Sequence, residues 1–374
     1  MTTREIVARS ILRKHKKIDS WFLSRYGMNL YRGCSHNCVY CDGRSESYYV
    51  AGEFGEDVAV KTNAIEVLSR ELDPKRKRVP LERGFIMVGG GVGDSYQPIE
   101  KKYELTRRAL QVIARHQLPV HMLTKSTLIE RDIDILKKIN KETKAIVSFS
   151  FSSVDDGISR VVEPGVPSPS RRLETIERFK NEGIACGMFL LPVIPFITDS
   201  AQLIEGSVSK AKNAGIDFII FGCMTLKDGR QRDYFMSIVN KAYPEIASRY
   251  NTIYTDTKWG EPDKKYSTPV NMIFGSIAKK YGMPVRIPHT LFKDLLSEND
   301  LAVVLLEHID YLLRLQGKAS SFGYAAYSLS QLKEPLSSLR ADLKRIKGVG
   351  EAAEAIILEI IQTGHSSYYE RLTS

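Results

Sequence analysis

Beyond about residue 60 the chain alternates between short runs that are apolar throughout and longer stretches that are apolar on one face only. In 63–72, Ile65, Leu68 and Leu72 recur at the spacing of one helix face. Phe85-Ile86-Met87-Val88 then reads as a short buried strand. The same alternation predicts helices over 103–116, 130–141, 171–182 and 200–214. It predicts strands over 120–124, 145–151, 185–193 and 218–223, with 285–287 as a last short one. Strands without a polar face, separated by helices, imply a parallel sheet covered by those helices. About six such units imply an α/β fold in the form of a partial (βα)6 TIM-like barrel, closed by right-handed crossovers. Ahead of it, residues 4–18 read as a short basic helix or an extended arm anchored by Trp21 and Phe22. After Pro288 the composition shifts: 301–315 is a strongly apolar helix, 322–329 a linker or short helix, and 331–374 mostly helical. The expected organisation is an N-terminal arm over 1–25, the barrel over 26–290 and a small all-α domain over 291–374.

Composition changes this picture little. Hydrophobic residues at 43% and charged residues at 26% are ordinary for a globular protein. No apolar run approaches the roughly 20 residues that cross a bilayer, and the N-terminus has no signal-peptide core. No membrane partner is expected, and free cysteines fit a reducing cytoplasm. The net charge of +10 favours a polyanionic partner such as nucleic acid, although solubility alone explains mild basicity. The basic run Lys75-Arg76-Lys77-Arg78 reads as a solvated loop.

The chemistry concentrates at Cys34, Cys38 and Cys41, three of only five cysteines, spaced C-x3-C-x2-C. Thiolates are soft ligands that suit zinc or an iron–sulfur cluster. No fourth ligand follows at matching spacing; zinc completed by His36 or a distant residue is the alternative. Tyr40 stands where an aromatic packs beside such a centre. The glycines 89–91 and 93 follow a strand and let backbone approach a ligand closely, but no Gly-Lys-Ser/Thr makes them a phosphate loop. Barrel chemistry sits at the C-terminal ends of strands, which singles out Lys125, Ser148, Ser150, Ser152 and Arg286. Of the remaining thiols, Cys186 reads as core; Cys223, at a strand end, reads either as core or as a thiol facing the barrel interior.

C-x3-C-x2-C with an aromatic before its last cysteine resembles the radical S-adenosylmethionine (SAM) superfamily. The stretches Asn29-Leu30-Tyr31-Arg32-Gly33-Cys34 and Asp94-Ser95-Tyr96-Gln97-Pro98-Ile99-Glu100 resemble its branch related to spore photoproduct lyase, a DNA repair enzyme that splits a thymine lesion without light. The similarity covers roughly the first three quarters of the chain. The resemblance implies an open (βα)6 barrel whose cysteines hold a [4Fe-4S] cluster, with the fourth iron binding the amino and carboxylate groups of SAM. It places Gly89, Gly90 and Gly91 at the SAM amino group and Lys125 with Ser148 or Ser150 at its carboxylate, Ser150 being favoured. It implies an electron donor such as ferredoxin or flavodoxin. Candidate catalytic residues are Cys223 and Tyr96. The branch's cysteine hydrogen donor lies near the second-strand loop, where this chain has Ser95 and Tyr96 instead. The expected activity is a DNA photolesion lyase, with DNA ahead of RNA. Modification of RNA or of a peptide is the second reading, and a nucleic-acid-binding protein with a structural metal the third.

Near the C-terminus, Leu343-Lys344-Arg345-Ile346-Lys347-Gly348-Val349-Gly350 followed by a small-residue helix resembles a helix–hairpin–helix motif. An apolar helix, a Gly-Val-Gly turn and a second helix N-terminus would meet a phosphate without reading bases. Lys347, Gly348 and Gly350 are the candidate nucleic-acid contacts; an ordinary helical hairpin is the alternative.

Overall fold

The computed structural model describes residues 2–48, 52–76, 80–90, 93–255 and 259–373. Its ten strands are β1 (Thr2–Ile6), β2 (Leu12–Asp19), β3 (Ser24–Met28), β4 (Tyr31–Arg32), β5 (Asp57–Lys61), β6 (Phe85–Val88), β7 (Val120–Thr124), β8 (Ala145–Phe151), β9 (Ala185–Val193) and β10 (Phe218–Cys223). Seven form one curled sheet in the order β10-β9-β8-β7-β6-β3-β2. Six of these run parallel, and β2 pairs antiparallel with β3 at the edge. Helices Leu105–Arg115, Ile133–Glu142, Pro169–Asn181 and Ala201–Asn213 connect the strands, as the apolar periodicity predicts. The architecture is the expected partial (βα)6 barrel.

Two expectations at the barrel's ends need correction. Residues 285–287 form no strand, although Ile219 N–H donates to Pro284 O at 2.8 Å and so holds that segment beside β10. The sixth parallel strand is β3, whose Ser-Arg-Tyr-Gly-Met carries no apolar run because its residues alternate between buried and half-buried. The N-terminal stretch is extended, not helical. Lysines and arginines stud β2 because it is an edge strand, where charge discourages pairing with another chain. A second small sheet, β1-β5-β4, lies outside every sequence expectation.

The C-terminal quarter is helical as expected. Its long helix Glu298–Leu315 packs on β2 and on the later helices Phe322–Leu329, Glu351–Thr363 and Ser367–Thr373. Ion pairs Arg25–Asp300 and Lys17–Glu307 join it to the N-terminal hairpin, and His308 Nε2 lies 3.0 Å from Ser20 O. Its apolar side chains share one continuous buried cluster with the barrel. The floor of the barrel is aromatic: His121 lies within 5.4–6.4 Å of the rings of Phe22, Phe85, Phe189 and Phe218. The expected apolar helix before Gly-Val-Gly is only a 3-10 turn, Leu343–Arg345. Gly348 turns there with φ +86°, and a Cβ would come within 2.5 Å of the Tyr324 ring. Gly350 caps the helix Glu351–Thr363 in open space.

Candidate active site

Cys34, Cys38 and Cys41 face one cavity of about 440 Å3 above the aromatic floor. Their loop leaves β4 and doubles back through left-handed residues, Gly33 at φ +84° and Asn37 at φ +54°. Arg44 braces it, donating to Phe54 O at 2.9 Å and to the Asn37 side chain. Burial pushes the Cys34 thiol up to about 12, with the charge of Asp94 adding, and lifts Cys38 and Cys41 as well. All three are therefore thiols in the metal-free chain, and loading a metal must release their protons.

The donor set suits a cluster better than a single ion. Among the described residues no three His, Cys, Asp or Glu side chains close on one ion-sized point. A four-iron cluster spreads three thiolates over three irons, so it needs soft sulfurs around an open volume, and these cysteines line one.

Polar residues at the mouths of β6 and β7 hold this loop in place. Asp94 accepts from Thr124 Oγ1 at 2.7 Å, Lys125 N–H at 2.7 Å and Tyr96 N–H at 2.8 Å, and lies 3.3 Å from His36 Nε2. Burial works to raise the Asp94 carboxyl, but His36 and the two backbone N–H groups outweigh it and hold it below its usual range. Gln97 spans the loop, accepting from Ser35 N–H and donating to Gly33 O, both at 3.0 Å.

Beside Tyr40 of the cysteine loop, 5.5 Å from the centre of its ring, Lys125 Nζ donates to Ser150 Oγ at 2.8 Å and to Glu163 Oε1 at 2.9 Å. Glu163 also receives the Tyr40 hydroxyl and pairs with Arg172, both fully buried. Burial opposes ionisation of Glu163, yet Arg172 and Lys125 hold its carboxyl far below the usual range.

The predicted residues therefore separate. Cys34, Cys38, Cys41, Tyr40, Gly90, Lys125, Ser150 and Cys223 all line the cavity. Gly89 shapes its wall: at φ +81°, a Cβ there would stand 2.2 Å from Leu123 O. Gly91 lies outside the described residues. Ser148 and Ser150 share one face of β8, so depth separates them, not the alternation of the strand. Ser148 sits a layer lower, with its Oγ 2.8 Å from His121 Nε2. Tyr96 does not line the cavity; it is fully buried and donates to Asp132 at 2.9 Å. Cys186 is fully buried, as expected of core. Lys347, Gly348 and Gly350 are absent from the cavity wall. His36, Asp94, Gln97, Glu163 and Arg172 carry the site's polar framework. Of these, His36 beside the cysteines and the Asp94–Glu100 stretch showed a local signal.

A family model described as Radical SAM superfamily matches residues 28–205, from the cysteine loop into the helix after β9. An uncharacterised Mycobacterium tuberculosis protein is 31% identical over 258 residues, 68% of this chain and 74% of that relative. An uncharacterised Methanocaldococcus jannaschii protein is 29% identical over 258 residues, 69% of this chain and 87% of that relative. Among solved structures, spore photoproduct lyase complexed with dinucleoside spore photoproduct superposes with a TM-score of 0.55 at 14% identity, covering 75% of this chain and 79% of that one. A mutant of that lyase with bound AdoMet and dinucleoside spore photoproduct gives 0.52 at 15% identity, with the same coverage. At such identities the likeness is one of fold.

Proposed function

We propose a function from one premise: this chain belongs to the radical SAM superfamily, and its cofactors are a [4Fe-4S] cluster and S-adenosylmethionine. Bound and reduced, these supply a one-electron cleavage of SAM to methionine and a 5′-deoxyadenosyl radical that abstracts hydrogen atoms. The finer reading is a lyase acting on a nucleic-acid lesion, with DNA ahead of RNA. The observation that carries the chemistry is a single cavity lined both by three thiols and by a lysine-serine pair. The fold shared with spore photoproduct lyase and the net charge of +10 favour the substrate class.

In this reading Cys34, Cys38 and Cys41 hold three irons. Gly89 and Gly90 give the SAM amino group a close backbone approach, and Lys125 with Ser150 receives its carboxylate. Cys223 acts as the hydrogen-atom donor: burial, with Asp199 adding, pushes its thiol up to about 12, so its S–H hydrogen stays on at neutral pH. Tyr96, bonded to Asp132 behind the cavity, supports the site and does not touch the reactants. The hairpin at Lys347, Gly348 and Gly350 holds the polymer backbone, a small acidic redox protein supplies the electron, and the setting is a reducing cytoplasm. Among the described residues no helix is long and apolar enough to cross a membrane.

Turnover tests the substrate: the reconstituted enzyme is offered a photodamaged oligonucleotide, the intact oligonucleotide and tRNA. Repair of the damaged strand alone is expected. Label transfer from SAM to tRNA alone would replace the DNA reading with the RNA one.

A further inference from the structure

Glu163 does not line the cavity, yet four side chains, three of them from other elements, converge on it. Its Oε1 accepts from Lys125 Nζ at 2.9 Å and from the hydroxyl of Tyr40, a residue that lies between Cys38 and Cys41 in the sequence. Its Oε2 accepts from Ser159 Oγ at 3.1 Å and pairs with Arg172. Arg172 Nη1 in turn donates to Ser150 O at 2.5 Å, on the strand that supplies Lys125's other partner. Glu163 and Arg172 side chains are 0% exposed and Lys125 is 13% exposed. The two cations and one anion leave a single positive charge, and the member that meets the cavity is Lys125.

The backbone around Glu163 is joined to the cysteine loop as well. Val39 N–H donates to Val162 O at 2.9 Å and Gly165 N–H to His36 O at 3.0 Å, while His36 Nδ1 lies 2.9 Å from Gly165 O. No side chain fits at Gly165, where a Cβ would lie 2.6 Å from His36 O. Residues 162–165 thus form a strap along the cysteine loop, and the Glu163–Arg172 pair is its buried anchor.

We infer that Glu163 is a positioning residue that couples the cysteine loop to the SAM-carboxylate seat: one carboxylate fixes both the ring of Tyr40 beside the cluster and the ammonium of Lys125, 5.5 Å from the centre of that ring. This rests on the radical SAM reading above and adds to it a dependence between two sites. Arg172 supplies the counter-charge that keeps Glu163 ionised while buried, so that Lys125 is oriented but not neutralised.

The test uses the full chain, reconstituted anaerobically, with SAM dissociation constants from calorimetry, iron and sulfide per chain, and the melting temperature of the metal-free protein. Glu163→Gln alone strands the Arg172 charge and can unfold the chain. The double variant Glu163→Gln/Arg172→Met removes both buried charges together, and Glu163→Asp keeps both charges while shortening the reach. The double variant is expected to melt near the wild type but to bind SAM at least tenfold more weakly and to hold less iron; Glu163→Asp should fall between. Lys125→Met should weaken SAM strongly in the wild type and little in the double variant, because an unoriented lysine has less to lose. Equal weakening by Lys125→Met in both backgrounds, or wild-type SAM affinity in the double variant or in Glu163→Asp, would overturn the coupling. A wild-type chain that took up neither cluster nor SAM would sink the functional reading instead.

Discussion

His121 offers a prediction that needs no cofactor. It sits in the barrel floor, fully buried among four aromatic rings, with Nδ1 3.1 Å from Phe22 O and Nε2 2.8 Å from Ser148 Oγ. A neutral imidazole suits both contacts, donating to the carbonyl and accepting from the hydroxyl. Burial lowers its pKa from 6.5 to about 4, and burial likewise lowers that of His308 to about 3, with the Arg286 charge adding. The unfolded chain therefore binds protons below 6.5 that the folded chain refuses. Stability is fully present above that pH and is lost as pH falls toward 4. At 1.36 kcal/mol per pH unit, His121 alone removes about 3 kcal/mol by pH 4. Urea unfolding of the metal-free chain, followed by circular dichroism at several pH values from neutral to about 4.5, measures this. His121→Gln should be less stable at neutral pH, through lost ring packing, yet lose about 2–3 kcal/mol less on acidification. An unchanged pH dependence in the variant would refute the assignment.

Three further outcomes follow from the geometry. Gly89→Ala forces a side chain onto a backbone at φ +81° and against Leu123 O; a loss of about 2–4 kcal/mol in chemical unfolding is expected, together with SAM binding too weak to saturate. Gln97→Leu leaves Ser35 N–H and Gly33 O without their partner; at about 1–3 kcal/mol per stranded buried group, iron per chain should fall while the circular dichroism spectrum is kept. Cys223→Ala should leave cluster content and SAM cleavage near wild type and abolish product formation, as read by chromatography of a damaged oligonucleotide; full turnover would remove the thiol from the mechanism.

The parts legible in the sequence were those with a local signal. Strands β6 to β10 are nearly continuous apolar runs, so period and length alone placed them. The cysteine spacing and a lysine at the end of β7 pointed directly to the lining of the cavity. β3 was missed because its Arg25 and Gly27 break any apolar run, and β2 stayed open between helix and extended arm because edge-strand lysines also look like a basic helix face. Asp94, Gln97 and Glu163 act through partners 31, 62 and 123 residues away, and no local window carries such pairings. Tyr96 and Ser148 stood near the chemistry in sequence, but rotation and depth within the barrel turned one away from the cavity and set the other below it.

The most direct test is reductive cleavage of SAM. The chain, purified and reconstituted without oxygen, is mixed with SAM and a one-electron reductant, and 5′-deoxyadenosine is quantified beside iron and sulfide, with Cys38→Ala as control. Four irons per chain with 5′-deoxyadenosine in the wild type, and neither in the variant, is the predicted result. A folded chain that carries zinc and releases no 5′-deoxyadenosine would contradict it.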